Sequence, residues 1–352
     1  MKKILLAEVI VLVLLVLVAV FVRVNDAGAP EPTLDVMATQ AQTTVPPTTL
    51  AATEPPTTIP PTTQAPTELP TQAPTEPPTE APTEPPKPDK YGVSARQYFV
   101  FDCETGDFIT INCEKSDKVY PASITKLFTA FVALLYVEPE DIITAGDELD
   151  LIAEDSSLAY VRKGHQLTAE MLVEGMLLPS GNDAAYVLAA GAARKAANDS
   201  TLTAQEAIRY FVNLMNSTAN AMGMKYSHFN NPDGYHDEEH YTSLADLTII
   251  ARLALGNETI RTYTQTREDN VTYASGQTMS WKNTNQLINS YSEYYIRTAI
   301  GLKTGYTDAA GNCLLSAFRE ENRTVIIGVF GCPNSYARFI DTNTLYNKLI
   351  KN

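Results

Sequence analysis

Between about residues 30 and 90 the chain is built from Pro, Thr, Ala, Gln and Glu with almost no aromatic side chains. Units such as Thr53-Glu54-Pro55-Pro56, Thr75-Glu76-Pro77-Pro78 and Thr83-Glu84-Pro85-Pro86 recur through it. Proline removes backbone donors, and no unit carries enough apolar surface to offset the entropy of ordering the chain. The tract is expected to be disordered and extended, largely polyproline II, and cannot enter a packed core. At ~3.1 Å per residue its roughly sixty residues reach about 190 Å, which suits a passive stalk. The chain therefore divides into residues 1–29, a linker of residues 30–90, and residues 91–352, which alone are long and apolar enough to bury a sizeable core.

Residues 1–29 open with Met1-Lys2-Lys3, run almost wholly apolar from Ile4 to Val22 with Glu8 as the exception, and reach Arg23. About nineteen residues at 1.5 Å each span roughly 28 Å, close to a bilayer core. That length favours an uncleaved transmembrane helix. A cleaved secretory signal is the alternative: Ala27-Gly28-Ala29 resembles a cleavage site, although Pro30 follows it. The two N-terminal lysines place the start inside and the rest outside under either reading, so an extracytoplasmic location is expected. Export permits disulfides among Cys103, Cys113, Cys313 and Cys332, whose pairing the spacing leaves open. A net charge of −15, with no basic cluster interleaved with aromatics, argues against nucleic acid as a partner.

Within residues 91–352, Tyr98–Asp102 and Phe108–Ile111 read as a hairpin about the turn Thr105-Gly106-Asp107. An apolar helix follows Pro121-Ala122-Ser123 and runs through Val137. Thr168–Leu178 and the Ala-rich Asn182–Ala197 read as two more helices, separated at Pro179. Thr298–Lys303, Cys313–Phe318 and Thr324–Phe330 read as strands, with Glu320-Glu321-Asn322 as a turn. Strands at both ends with helices between them predict an α/β (α+β) fold in which one sheet is made from both ends of the domain and covered by helices.

Three short motifs sit at element edges: Ser123-Ile124-Thr125-Lys126, Ser180-Gly181-Asn182 and Lys303-Thr304-Gly305. Average composition supplies about one S-x-x-K by chance in a chain this long, so the combination and order carry the weight. Ser123 could simply cap its helix. A capping box would then want Glu or Gln three residues on, and the chain has Lys126, a cation facing the positive end of the helix dipole. Positions i and i+3 share a helix face, so Lys126 Nζ can reach the Ser123 hydroxyl. A serine nucleophile needs a base, and a lysine serves only when neutral, a state favoured by burial and a second cation such as Lys303. Ser123 is thus the candidate nucleophile, Lys126 its proton acceptor and Ser180 a proton relay. Asn182, Lys303, Thr304 and Gly305 are candidates for holding a substrate's amide, carboxylate and backbone, with the Ser123 and Tyr306 backbone N–H groups as oxyanion donors.

His236-Asp237-Glu238-Glu239-His240 fits the H-x-x-E-H zinc-peptidase pattern, but the chemistry needs it on a helix and Asn230-Asn231-Pro232-Asp233-Gly234 signals a loop. No metal or cofactor is expected.

These motifs, with Asn231-Pro232-Asp233-Gly234, His240-Tyr241-Thr242-Ser243, Asp246, Asn283-Thr284-Asn285 and Gly301 to Thr307 followed by Ala310-Gly311, resemble the low-molecular-mass penicillin-binding proteins, the serine-type D-Ala-D-Ala carboxypeptidases. The resemblance covers nearly all of residues 95–345. It implies a β-lactamase/DD-peptidase-like fold, with a five-stranded antiparallel sheet flanked by helices and a helical subdomain. It also implies acylation of Ser123 by peptidoglycan stem peptides ending in D-Ala-D-Ala, loss of D-Ala, hydrolysis, and covalent inhibition by β-lactams. Many members carry a second β domain and a C-terminal anchor, whereas this chain stops soon after its last expected strand. Tyr235 stands where a Leu is expected, and Cys113 where many have Asn. A β-lactamase and a non-catalytic β-lactam sensor or surface-display protein are the alternatives. Ser-Gly-Asn rather than Ser-Asp-Asn favours the peptidase, and only Met1 to Lys3 would lie inside to signal.

Overall fold

The computed structural model describes residues 89–351. The apolar segment of residues 4–22 and nearly all of the Pro/Thr tract lie outside the described residues. Among the described residues no helix is long and apolar enough to cross a membrane.

In chain order the domain begins with β1 (Gln97–Asp102), β2 (Phe108–Ile111), β3 (Lys118–Val119) and α1 (Thr125–Ala133). Next come β4 (Ile142–Thr144), β5 (Gln166–Thr168), α2 (Ala169–Leu177), α3 (Asn182–Ala196), α4 (Ala204–Ala221), β6 (Thr242–Ser243), α5 (Leu244–Gly256) and α6 (Glu258–Gln265). The hairpin β7 (Glu268–Thr272) and β8 (Thr278–Lys282) leads to β9 (Ala299–Thr307), β10 (Gly311–Glu320), β11 (Arg323–Cys332) and α7 (Ala337–Leu349). One five-stranded antiparallel sheet has the order β2-β1-β11-β10-β9. The first strand therefore pairs with the last, Gln97 opposite Phe330, and both ends of the domain do build one sheet.

Strand alternation sorts the core. Phe99 and Phe101 of β1 face the helices with Leu315, Ile326 and Phe330, while Tyr98 and Val100 face the other side with Phe318, Val325 and Ile327. Both faces are covered, which is why these strands read as nearly continuous apolar runs. On the helical side, α1 is buried at every position, as its all-round apolarity requires. The Ala-rich α3 packs close to its neighbours, and a Cβ on Gly191 would lie 2.7 Å from Ile143.

Two expected boundaries move. The helix expected to reach Val137 ends at Ala133, because Leu134–Tyr136 close into tighter turns ahead of Pro139. The strand expected to stop at Lys303 continues to Thr307, since pairing with β10 carries through Thr304, Gly305 and Tyr306. After β11, α7 covers the sheet face opposite the helical layer, seating Phe339, Leu345 and Tyr346 against Phe318 and Val325. All four cysteines are free, with Cys313 and Cys332 buried. Burial pushes the Cys313 thiol up to about 11, so it is inert.

The start of the domain is tied to its end by one carboxylate. Asp341 on α7 accepts from Ser94 N at 3.0 Å, Ser94 Oγ at 2.9 Å and Ala95 N at 2.8 Å, and is itself buried. Asp341→Ala leaves two backbone donors unpaired and should cost about 3 kcal/mol in urea unfolding. A loss below about 0.5 kcal/mol would show that water or another acceptor replaces the carboxylate.

Candidate active site

Ser123 lies in a single 3-10 turn, Ala122–Ile124, that leads into α1. Its hydroxyl does not cap the helix: α1 has no side-chain cap. Instead Ser123 Oγ lies 2.8 Å from Lys126 Nζ, one helical turn on, as the i,i+3 spacing predicts.

Lys126 is wholly buried. Its Nζ also donates to Asn182 Oδ1 and to the Asp233 carbonyl, each at 2.7 Å. Those two partners can only accept, so they take two N–H bonds in either protonation state. The contact with Ser123 is the one that can reverse. When the amine is neutral, its lone pair faces the Ser123 hydroxyl and can receive that proton. Burial pulls the Lys126 pKa down to about 8, against the opposing pull of Asp233 and Asp183.

Asn182 opens α3, and its Nδ2 donates to Ser156 Oγ at 2.8 Å. One N–H remains to it, so toward a ligand it is a donor. Asp183 beside it accepts from Ala159 N and Val161 N at 2.8 Å, tying the neighbouring loop to the start of α3. Ser180 takes a left-handed backbone, φ 67°, which turns the chain from α2 into α3 and brings its side chain to the same cavity. None of the three Lys126 contacts is to Ser180.

Lys303, Thr304, Gly305 and Tyr306 arrive on β9. Lys303 is 1% exposed and donates to the Thr304 carbonyl at 3.1 Å. Burial, then the charges of Lys126 and Arg338, hold its pKa well below the ordinary lysine range. Thr304 Oγ1 meets Thr284 Oγ1 at 2.6 Å, which accounts for the Asn283-Thr284-Asn285 stretch. A Cβ on Gly305 would lie 2.9 Å from Pro121 O and 3.3 Å from Ser123 N. The missing side chain therefore lets β9 abut the turn that carries Ser123, and puts the Ser123 and β9 backbones side by side.

Sequence reasoning missed Arg338. It extends from α7, donates from Nη1 to the Gly305 carbonyl at 3.2 Å, and lines the cavity with its buried Nε unpartnered. It also missed how the loop after α4 clamps α1. Thr129 Oγ1 donates to Pro232 O at 2.6 Å beside the Lys126–Asp233 bond. Gly234 has φ 82°, and a Cβ there would sit 1.9 Å from Ala122 O. Asn230 N donates to His240 Nδ1 at 3.1 Å, which assigns the proton to Nε2 and makes it the donor to Thr125 Oγ1 at 2.8 Å. Burial holds the His240 pKa down to about 3, so the ring is neutral. His236 instead packs edge-on to Tyr120, so the two histidines of the zinc-like pattern face different partners, on a stretch that is not helical.

These groups surround a cavity of about 440 Å³ lined by Ser123, Ser180, Asn182, Thr304, Gly305 and Arg338, among others. It offers a serine with a buried amine base, adjacent backbone donors, and a cationic end. That set can form and break an acyl-enzyme and hold a carboxylate next to it.

Residues 81–334 match the model of a peptidase family described as D-alanyl-D-alanine carboxypeptidase. A D-alanyl-D-alanine carboxypeptidase of Streptomyces sp. (strain K15) is 34% identical over 234 residues, covering 64% of this chain and 77% of that protein. D-alanyl-D-alanine carboxypeptidase DacF of Bacillus subtilis (strain 168) is 29% identical over 250 residues, 69% of this chain and 59% of its own length. The chain thus spans about three fifths of the Bacillus relative. Among solved structures, the crystal structure of the Streptomyces K15 DD-transpeptidase superposes with TM-score 0.65 at 30% identity, over 72% of this chain and 96% of that one. The ampicillin-bound penicillin-binding protein D2 of Listeria monocytogenes shares the fold, with TM-score 0.60 at 24% identity over 75% of this chain and 100% of that one.

The loop clamp yields a test. Gly234→Ala forces a Cβ into the Ala122 carbonyl and displaces the loop that holds Lys126. It should cost about 3 kcal/mol in denaturant unfolding. Stability within 1 kcal/mol of wild type would show that the loop does not bear on α1 as described.

Proposed function

The chain belongs to the D-alanyl-D-alanine carboxypeptidase family of serine peptidases, S11, and on that premise we propose that it removes the terminal D-alanine from peptidoglycan stem peptides through an acyl-enzyme on Ser123. The observation that carries this reading is the buried Lys126 amine, 2.8 Å from Ser123 Oγ and with its other donors fixed on acceptors.

Neutral Lys126 takes the Ser123 proton as Oγ attacks the carbonyl of the penultimate D-alanine. The backbone N–H groups of Ser123 and Tyr306 stabilise the oxyanion. The substrate's carboxylate lies against Thr304 and the Arg338 guanidinium, with the buried Lys303 behind Thr304, whose carbonyl it binds, and the Asn182 amide donates to the acyl residue's side of the chain. As the tetrahedral adduct collapses, the leaving nitrogen gains the proton held by Lys126, for which the Ser180 hydroxyl in the same cavity is the proposed relay, and D-alanine departs. Water, activated by the same amine, then cleaves the ester and restores Ser123. A β-lactam carries a carboxylate and a reactive amide in the same relation, so it should acylate Ser123 and remain. An amine acceptor entering in place of water gives a transfer reaction, a second reading favoured by the likeness to the Streptomyces K15 DD-transpeptidase.

The domain is placed outside the cell membrane by its N-terminal segment, as anchor or cleaved signal. This rests on the apolar run from Ile4 to Val22 behind Lys2 and Lys3.

Residues 91–352 should release D-Ala from a D-Ala-D-Ala peptide, and Ser123→Ala should abolish release. Undiminished release by that variant would sink the mechanism. Lys126→Arg keeps the charge but cannot supply a neutral base, so labelling by a fluorescent penicillin should fall by at least about a hundredfold. Adding an amine acceptor measures the split between hydrolysis and transfer.

The pH dependence has a definite sign. The neutral, active fraction of Lys126 grows as pH rises, so penicillin acylation should climb with pH on a limb centred at about 8. A rate that is flat or falling from pH 6 to 9 would show that Lys126 is not the titrating base.

A further inference from the structure

β9 is an edge strand, paired with β10 on one side only. Part of its length is closed off: a Cβ on Gly301 would meet the Thr264 carbonyl at 2.1 Å, and one on Gly305 would meet the turn of Ser123. Beyond Gly305 the strand opens, with Tyr306 57% exposed and Asp308 exposed. A peptide with its carboxylate at Thr304 and its scissile carbonyl at Ser123 runs antiparallel to β9. Its upstream residues then pass Tyr306 and reach the end of β9 at Thr307, where Asp308 opens the turn to β10 beside the residue that precedes D-Ala-D-Ala.

The cavity is electrically polarised along this path. Beside the Gly305 carbonyl its lining carries the Arg338 guanidinium, and its mouth carries the exposed Asp308 and Asp155. Each carboxylate is oriented by a phenol: Tyr306 OH donates to Asp308 Oδ1 at 2.7 Å, and Tyr235 OH donates to Asp155 Oδ1 at 3.0 Å. Each bond fixes one oxygen of its carboxylate. Neither carboxylate belongs to any of the ion pairs among the described residues. Tyr235, the residue that departs from the family pattern, is half of one of these pairs.

We propose that this mouth selects peptides in which the residue before D-Ala-D-Ala carries a free ammonium, with Asp308 and Asp155 as the specificity-determining residues. The proposal rests on the carboxypeptidase reading and deepens it. The peptide's carboxylate meets the cationic end, its side-chain ammonium meets the two carboxylates, and the Tyr235 and Tyr306 rings flank the cation's methylene stem.

The test compares D-Ala release from Nα-acetyl-lysyl-D-Ala-D-Ala, its Nε-acetylated form and the norleucine analogue, which keeps the stem without the charge. The free ammonium should raise kcat/KM by about fivefold over both neutral peptides, as for part-exposed ion pairs. The gain should sit mainly in KM and shrink as salt is raised to about 0.5 M. In the combined variant Asp155→Asn and Asp308→Asn, which keeps an acceptor for each phenol, the preference should fall to within about twofold. Thermal melting checks that the variant is folded. Equal kcat/KM for the three peptides in the wild type, or a preference that survives in the variant, would overturn the proposal while leaving the carboxypeptidase reading in place. Release from none of the peptides, with Ser123 still labelled by penicillin, would remove that reading and this one with it.

Discussion

The structure turns on keeping one amine out of water. Lysine is among the side chains least often buried, and an ammonium loses more on desolvation than one hydrogen bond returns. Lys126 is fully buried all the same, with three acceptors at 2.7 to 2.8 Å, one each from the turn that leads into its own helix, from α3 and from the loop after α4. Those partners come from positions 3, 56 and 107 residues away in sequence. Fixing the amine therefore requires α1, α3 and that loop to be docked together. The all-round apolarity of α1 and the small side chains of α3 are what make such docking close enough.

The same constraint explains several features that look unrelated in sequence. Gly234 is glycine because the loop must pass against Ala122 with a positive φ. Gly305 is glycine because β9 must lie against Pro121 and Ser123. His240 is a neutral hydrogen-bonding spacer that binds Thr125 at the start of α1, next to the base it helps to seat. Asp183 serves the α3 side in a similar way, by holding the chain at Ala159 and Val161.

Much of this was legible beforehand, and the reasons are local. The β1–β2 hairpin follows from alternation and a turn signal, α2 from the helical pattern that stops at Pro179, and the Ser123–Lys126 contact from helical spacing. What escaped depended on tertiary pairing. β9 reads in sequence as ending at Lys303 because Gly305 interrupts the strand pattern beyond it, and only the ladder with β10 carries it on to Thr307. α7 was not assigned, because Thr342, Asn343 and Thr344 favour turns in isolation. In the fold each bonds the carbonyl four residues back, at Arg338, Phe339 and Ile340. Missing α7 meant missing Arg338. By contrast, α4 carried an unused local signal, the capping box of Thr203 and Glu206.

A sheet made from both ends of the domain also sets a schedule. β1 has only β2 as a neighbour until β11 exists, and the Asp341 tie to Ser94 spans 247 residues. A hairpin of two strands is marginal by itself, and contacts of such separation form late and slowly. Ser123 is made early in the chain, while Lys303 and Arg338 arrive near its end. A partly synthesised chain thus holds a serine with no closed sheet behind it. On the proposed mechanism an acyl-enzyme forms only once the last strands and α7 are in place, so a truncated product is silent rather than unselective.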